Sequence, residues 1–205
     1  MKKYKPLPRK FYLRDTISVS KDLLGKILVR KSGKENFSAV IVETEAYIGD
    51  HDPASHSYRK ITERNKVMYD EGGIAYVYFI YGNYNCFNIV TGIKGEGNAV
   101  LIRAAEPVEV TEKMKRLRGG TKNIYELSNG PAKLCMAMNI NRKLNGADLT
   151  KGDEIFISEP PIKSKFEIVT SKRIGISRGA DFPYRFFIRD NPYVTKHKFN
   201  REINS

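Results

Sequence analysis

A chain of 205 residues with 40% hydrophobic residues can bury a full core in one domain, and its two cysteines, Cys86 and Cys135, exclude a disulfide framework as the source of its stability. No run approaches the ~18 apolar residues of a membrane-spanning helix, and the basic first ten residues have no apolar stretch behind them. Lys and Arg total 36 against 23 Asp and Glu, a formal charge of +13 that suits a polyanionic partner and a phosphate-binding surface.

In chain order, residues 1–10 are expected as a basic flexible arm. A helix is predicted from a cap at Ser18 or Ser20 through Leu24, stopped by Gly25 and followed by a strand at residues 26–30. A turn at Ser32-Gly33-Lys34 leads into a strong strand at residues 37–45 that becomes acidic at its end, and two-residue periodicity sets Glu43, Glu45 and Tyr47 on one face. Residues 48–61 read as loop, and Thr62 is expected to cap a short helix from Glu63 to Tyr69. Residues 74–81 and 84–90 form a hairpin around Gly82-Asn83, with Tyr81 and Tyr84 flanking its tip. A strand at residues 99–104 precedes a helix at residues 108–118, and a second helix begins at Pro131, a residue favoured in the first helical position, and ends at Met138. Further strands are expected at residues 154–158, 166–170 and 184–189. Strands and helices without regular βαβ alternation predict a single α+β domain over residues 1–205, with a mixed, mainly antiparallel curved sheet, surrounding helices and a protruding hairpin. The two thiols read as reduced and buried, and the chain as a cytosolic protein with nothing in it that calls for an oligomer, hence a monomer.

Two stretches concentrate reactive side chains. Residues 43–57 hold Glu43, Glu45, Tyr47, Asp50, His51, Asp52 and His56 where a strand gives way to a loop, the usual place for chemistry carried on a rigid scaffold. General acid/base carboxylates, a His/Asp/Glu metal site and an ordinary solvated loop all fit that composition. The five-residue spacing of His51 and His56 does not match a helical zinc pair, and no third ligand stands out, so neither metal nor cofactor is expected. The second stretch is the hairpin, where Tyr76, Tyr78, Tyr81 and Tyr84 alternate with apolar residues. Sheet packing accounts for Tyr76, whereas a tyrosine at a projecting tip of a basic protein can wedge into a base stack.

These residues fall into a longer pattern. Phe11-Tyr12-Leu13-Arg14-Asp15-Thr16, Val42-Glu43-Thr44-Glu45-Ala46-Tyr47, His56-Ser57, Arg64-Asn65, Tyr76-Val77-Tyr78-Phe79-Ile80-Tyr81-Gly82 with Asn88, Val100-Leu101-Ile102-Arg103-Ala104-Ala105-Glu106-Pro107, Gly130-Pro131-Ala132-Lys133-Leu134-Cys135 and Arg173-Ile174-Gly175-Ile176 closely resemble, in order and spacing, the alkyladenine (3-methyladenine) DNA glycosylases. The resemblance implies a monofunctional enzyme of base excision repair that flips alkylated or deaminated purines out of double-stranded DNA and hydrolyses the N-glycosidic bond. It implies Glu45 as the base that activates water, with Arg103 and the backbone carbonyl of Ile174 holding that water. It further implies Tyr47, His56 and Tyr78 around the flipped base, Asn88 as the residue that disfavours guanine, and Tyr81 as the wedge that fills the vacated stack. Asn83 departs from the pattern, since many members carry an apolar residue there. The residues alone still admit a non-catalytic nucleic-acid-binding module and a hydrolase of small nucleosides. Glu43 reads as a structural neighbour of Glu45, Asp50 and His51 as solvated loop residues, and both cysteines as packing residues.

Overall fold

The computed structural model describes residues 4–80, 82–162 and 164–200, so the first three residues of the expected arm lie outside the described residues, while the segment from residue 4 is anchored. Leu7 is buried and its N–H donates to the carbonyl of Ile157 at 2.8 Å. Helix α1 (Arg9–Tyr12) follows, and the Arg9 guanidinium donates to the Gly72 carbonyl at 2.7 Å and to Asp148 Oδ2 at 2.6 Å. The expectation of a flexible arm therefore fails for residues 4–10: an apolar side chain and a paired arginine tie this segment to the domain. Helix α2 (Thr16–Asp22) starts earlier than predicted because Asp15, not a serine, caps it, its carboxylate accepting the Ser18 N–H at 2.8 Å. Such a cap contributes about 1 kcal/mol.

Strand β1 (Ile27–Ser32) turns through Gly33, at φ 63°, into the long strand β2 (Glu35–Ile48). Hairpin strands β3 (Ala75–Ile80) and β4 (Tyr84–Thr91) come next, then β5 (Asn98–Pro107). Helices α3 (Glu112–Leu117) and α4 (Pro131–Ala137) precede β6 (Ile155–Ser158), β7 (Ile168–Ser171) and β8 (Arg185–Ile188). The path of the sheet is β3-β4-β5-β2-β1-β6, with β8 joining β2 and β7. Every strand pairing among the described residues is antiparallel, so the sheet is not mixed. The fold is α+β. The predicted helix at residues 63–69 is a single tight turn, Lys66–Tyr69, although Thr62 does cap the segment as expected, its hydroxyl accepting the Asn65 N–H at 3.3 Å while Asn65 Oδ1 accepts the Thr62 N–H at 2.6 Å. Helix α3 is shorter than predicted because Thr111 caps it, accepting the Met114 N–H at 3.1 Å.

One core lies between the sheet and helices α2 and α4. Val19 on α2, Leu23 at its C-terminal cap, and Leu134 and Met138 at α4 meet Phe37, Ala39, Ile41 and Ala46 from β2 and Val100 and Ile102 from β5. Each fully buried leucine or valine contributes about 1.5–3 kcal/mol. Strict alternation along β2 would send Glu43 and Glu45 into this core behind Phe37, Ala39 and Ile41. They do not go there, because the β2–β5 register slips twice: Ile41 pairs Ala105, Glu43 pairs Ala104 and Thr44 pairs Ile102, leaving Val42 and Arg103 as the extra residues of adjoining bulges. A slip of one residue inverts the facing of everything after it. Thr44 and Ala46 then point to the core, where the Thr44 hydroxyl donates to the Ser20 carbonyl at 3.0 Å, while Glu43, Glu45 and Tyr47 share the opposite face with Arg103.

Candidate active site

On that opposite face the sheet and two loops enclose a cavity of about 360 Å³, lined by Tyr47, His56, Tyr78, Asn88, Arg103 and Ile174 among others. The six come from β2, the loop after it, β3, β4, β5 and the loop between β7 and β8, so residues scattered along most of the chain converge. Glu45 lies directly behind this wall, with none of its side chain exposed. Its carboxylate accepts from the Tyr47 hydroxyl at 2.8 Å and the Ile174 N–H at 2.8 Å, and pairs with the Arg103 terminal nitrogen at 3.2 Å. A carboxylate offers about four lone-pair directions, so these three donors leave room for one more, such as a water. The structure thus brings the Ile174 backbone to Glu45 through its amide.

Arg103 is shared. Its Nε donates to Glu43 Oε1 at 3.0 Å, and the same oxygen accepts from Arg185 Nε at 2.7 Å, while Glu43 Oε2 accepts the Thr195 N–H at 2.8 Å. Burial alone would raise the Glu43 pKa, but the guanidinium groups of Arg103 and Arg185 and the Thr195 bond outweigh it and hold the carboxyl below its ordinary range. Burial likewise opposes the charge on Arg103, and Glu45 and Glu43 more than offset it, so this arginine stays protonated. Two carboxylates and two arginines compensate one another under the cavity floor, as buried charges must. Glu43 is accordingly the structural neighbour that the sequence suggested.

The aromatic wall is assembled around His56. The ring centroids of His56 and Tyr78 lie 4.5 Å apart at 69°, and Tyr76 and Tyr78 lie 5.2 Å apart at 31°. His56 Nδ1 is 2.9 Å from the Tyr76 hydroxyl, and its backbone carbonyl accepts from Asn65 Nδ2 at 2.6 Å, which pins the loop. Burial of its inner face and the nearby Arg64 charge push the imidazole pKa down to about 4, so the ring is neutral near pH 7. Burial pushes Tyr76 up to about 12 and raises Tyr47 well above its ordinary value, with Glu45 adding to the latter; both remain phenols. Asn88 Nδ2 donates to the Tyr76 carbonyl at 3.1 Å, fixing the amide at the cavity wall. Tyr81, expected as the wedge, lies outside the described residues. Asp50 and His51 are exposed, as a solvated loop requires. Among the described residues no three His, Cys, Asp or Glu side chains gather as a metal-ligand group.

The methylpurine-DNA glycosylase family model matches residues 10–192. The chain belongs to that family. It is 53% identical over 201 residues to a protein of Alkaliphilus oremlandii named "Putative 3-methyladenine DNA glycosylase", covering 93% of this chain and 98% of the relative. Proteins of the same printed name from Carboxydothermus hydrogenoformans and Clostridium novyi are 50% and 51% identical, over 93% and 94% of this chain. The methylpurine-DNA glycosylase family hydrolyses N-glycosyl bonds of alkylated bases in DNA, so the protein is a DNA glycosylase and DNA is its substrate. The non-catalytic module and the nucleoside hydrolase are thereby set aside.

Sequence reasoning missed four residues at or beside the cavity. Sheet packing does not account for the whole of Tyr76, which is buried and whose hydroxyl is also bonded to His56. Cys86 packs as expected but also lines the cavity. Asp52 and Arg173 form a buried ion pair behind Tyr47, with no side-chain exposure on either partner. A signal for such pairs existed: Arg103 and Arg185 sit in apolar strands, Val100-Leu101-Ile102 and Phe186-Phe187-Ile188, where a charge survives only with a buried counter-charge.

Proposed function

We propose that this glycosylase flips a damaged purine out of duplex DNA into the cavity and that Glu45 activates the water that replaces the base. The observation that carries this reading is the Glu45 carboxylate, fully buried immediately behind an aromatic cavity and held by the Tyr47 hydroxyl, the Ile174 amide and Arg103. Bond cleavage leaves oxocarbenium character on the sugar, and a fixed carboxylate both stabilises that charge and accepts a proton from water. Arg103 and the Ile174 carbonyl help hold the water. Tyr47, His56 and Tyr78 stack about the base, Asn88 crowds the exocyclic amino group of normal guanine, and Tyr81 fills the space left in the duplex. Purines alkylated at N3 or N7 are cationic, hence good leaving groups that stack well on electron-rich rings. The substrate range includes 3-methyladenine and 7-methylguanine and extends to the neutral lesions hypoxanthine and 1,N6-ethenoadenine. Because water rather than a lysine attacks, the product is an intact abasic site and no strand is cut. Among the charged surface side chains, lysines and arginines supply phosphate contacts and a steep salt dependence.

Single-turnover excision on duplexes carrying each of these four lesions tests the reading. Release of the alkylated bases with intact strands is expected. Excision of none of them, or strand cleavage accompanying base release, contradicts it.

A further inference from the structure

The reaction proposed above makes no use of the ion pair behind Tyr47. The Arg173 guanidinium donates to Asp52 through both terminal nitrogens, to Oδ1 at 2.7 Å and to Oδ2, and also to the carbonyls of Ala46 at 2.8 Å and Gly179 at 3.1 Å. Asp52 in turn accepts the N–H groups of Ile48 at 3.3 Å and Ala54 at 3.0 Å. The guanidinium carbon lies 4.7 Å from the ring centroid of Tyr47 and 5.4 Å from that of Tyr184. Tyr47 lines the cavity whereas Arg173 is buried and does not. Arg173 therefore covers the face of Tyr47 turned away from the cavity, and the opposite face is the one a base can meet.

A cation on one face of an aromatic ring draws electron density towards itself and repels a second cation on the other face. A carboxylate paired with the first cation cancels most of that field. We propose that Asp52 determines specificity: by neutralising Arg173 behind Tyr47, it keeps the cavity face of that ring attractive to a cationic alkylated base. The inference rests on the reading of the cavity as the site of a flipped base stacked on Tyr47. A pair with only an architectural duty would, when broken, slow the release of cationic and neutral bases alike. Among the described residues, the charges beside the cavity include Glu45, Arg103 and Arg64, whose guanidinium lies 5.3 Å from the Tyr78 centroid. They are the same in the wild type and in the Asp52 and Arg173 variants, so the ratio between two bases isolates the pair.

Two unit charges about 8 Å apart in an effective dielectric of about 20 alter an equilibrium roughly thirtyfold. Single-turnover release of 7-methylguanine and of hypoxanthine from otherwise identical duplexes measures the effect in wild type, Asp52→Asn and the double variant Asp52→Asn/Arg173→Gln, with folding followed by thermal melting. Where hypoxanthine release is too slow to time, the affinities for the two duplexes give the ratio. Asp52→Asn is expected to lower the 7-methylguanine to hypoxanthine ratio roughly tenfold or more. The double variant, with neither charge, is expected to restore the ratio even where both rates have fallen. An unchanged ratio in Asp52→Asn, or a double variant that does not restore it, overturns the proposal. If Asp52→Asn does not fold, Arg173→Gln leaves a carboxylate unpaired behind the ring and is expected to raise the ratio; no rise overturns the proposal. A wild-type protein that releases neither base removes the reading of the cavity and this inference with it, whereas an unchanged ratio removes the inference alone.

Discussion

The hydroxyl of Tyr47 donates a 2.8 Å hydrogen bond to Oε2 of Glu45, so the ring that walls the cavity is fastened to the carboxylate behind it. Any movement of the ring is felt by the carboxylate. Tyr47→Phe keeps the stacking surface and removes this one donor. A hydrogen bond to a charged group is worth about 1.5–3 kcal/mol, so single-turnover base release is expected to fall roughly tenfold to a hundredfold, with duplex affinity little changed. A Tyr47→Phe enzyme as fast as wild type would show that the tie has no part in the reaction.

Glu45→Gln separates binding from chemistry. The amide keeps the size of the side chain and can still accept from the Ile174 N–H, which lies 2.8 Å from the carboxylate. It cannot take a proton from water. General-base catalysis contributes about a hundredfold to ten-thousandfold, so excision is expected to drop by at least that lower figure while affinity for lesion-containing duplex persists. Fluorescence of a reporter base beside the lesion follows flipping independently of release, and normal excision by the variant would contradict the role given to Glu45.

Glu43 makes a prediction about stability against pH. Its folded pKa lies below the ordinary value of 4.5, chiefly because Arg103 and Arg185 overcome its burial. A depressed carboxyl pKa contributes stability that is fully present above the unfolded value and is lost as pH falls through the folded one. Thermal melts of the wild type are therefore expected to lose stability progressively below about pH 4.5, and this share of the acid sensitivity should vanish in Glu43→Gln. The same variant leaves two buried arginines short of a counter-charge, a loss of about 3–5 kcal/mol at neutral pH. Equal acid sensitivity in the two proteins would mean that another group carries it.

How much of this was legible in the chain depended on the range of the interaction. The hairpin around Gly82-Asn83 and the helix opening at Pro131 are written in neighbouring residues, and both form where expected. Glu45, Tyr47, His56, Tyr78, Asn88, Arg103 and Ile174 were reached through ordered strings, and the fold gathers all of them at one cavity or immediately behind it. The bulges at Val42 and Arg103 left no local mark, because Val40-Ile41-Val42 is apolar on both faces and fits either phase of the strand. Nor could local spacing pair Asp52 with Arg173, which lie 121 residues apart. Two helix starts shifted because Asp15 and Thr111 catch a backbone N–H at other residues than those expected.

The last prediction concerns the proton on His56. The pKa of about 12 keeps the proton on the Tyr76 hydroxyl, 2.9 Å from His56 Nδ1, and a hydroxyl that donates this proton leaves Nδ1 as the acceptor. An imidazole that accepts at Nδ1 carries its hydrogen on Nε2, which makes the free edge of His56 a donor. Nitrogen-15 shifts of the imidazoles, resolved by deleting each of the three histidines in turn, are expected to show His56 neutral as the Nε2–H form at pH 7 and protonating only near its pKa of about 4. The sign of the linkage follows. A histidine whose folded pKa lies below its ordinary 6.5 adds stability above that value and loses it as pH falls towards about 4. Tyr76→Phe removes the bond to Nδ1, so a mixture of the two tautomers is expected there. An Nδ1–H form in the wild type, or no change in Tyr76→Phe, would show that Tyr76 does not set the tautomer.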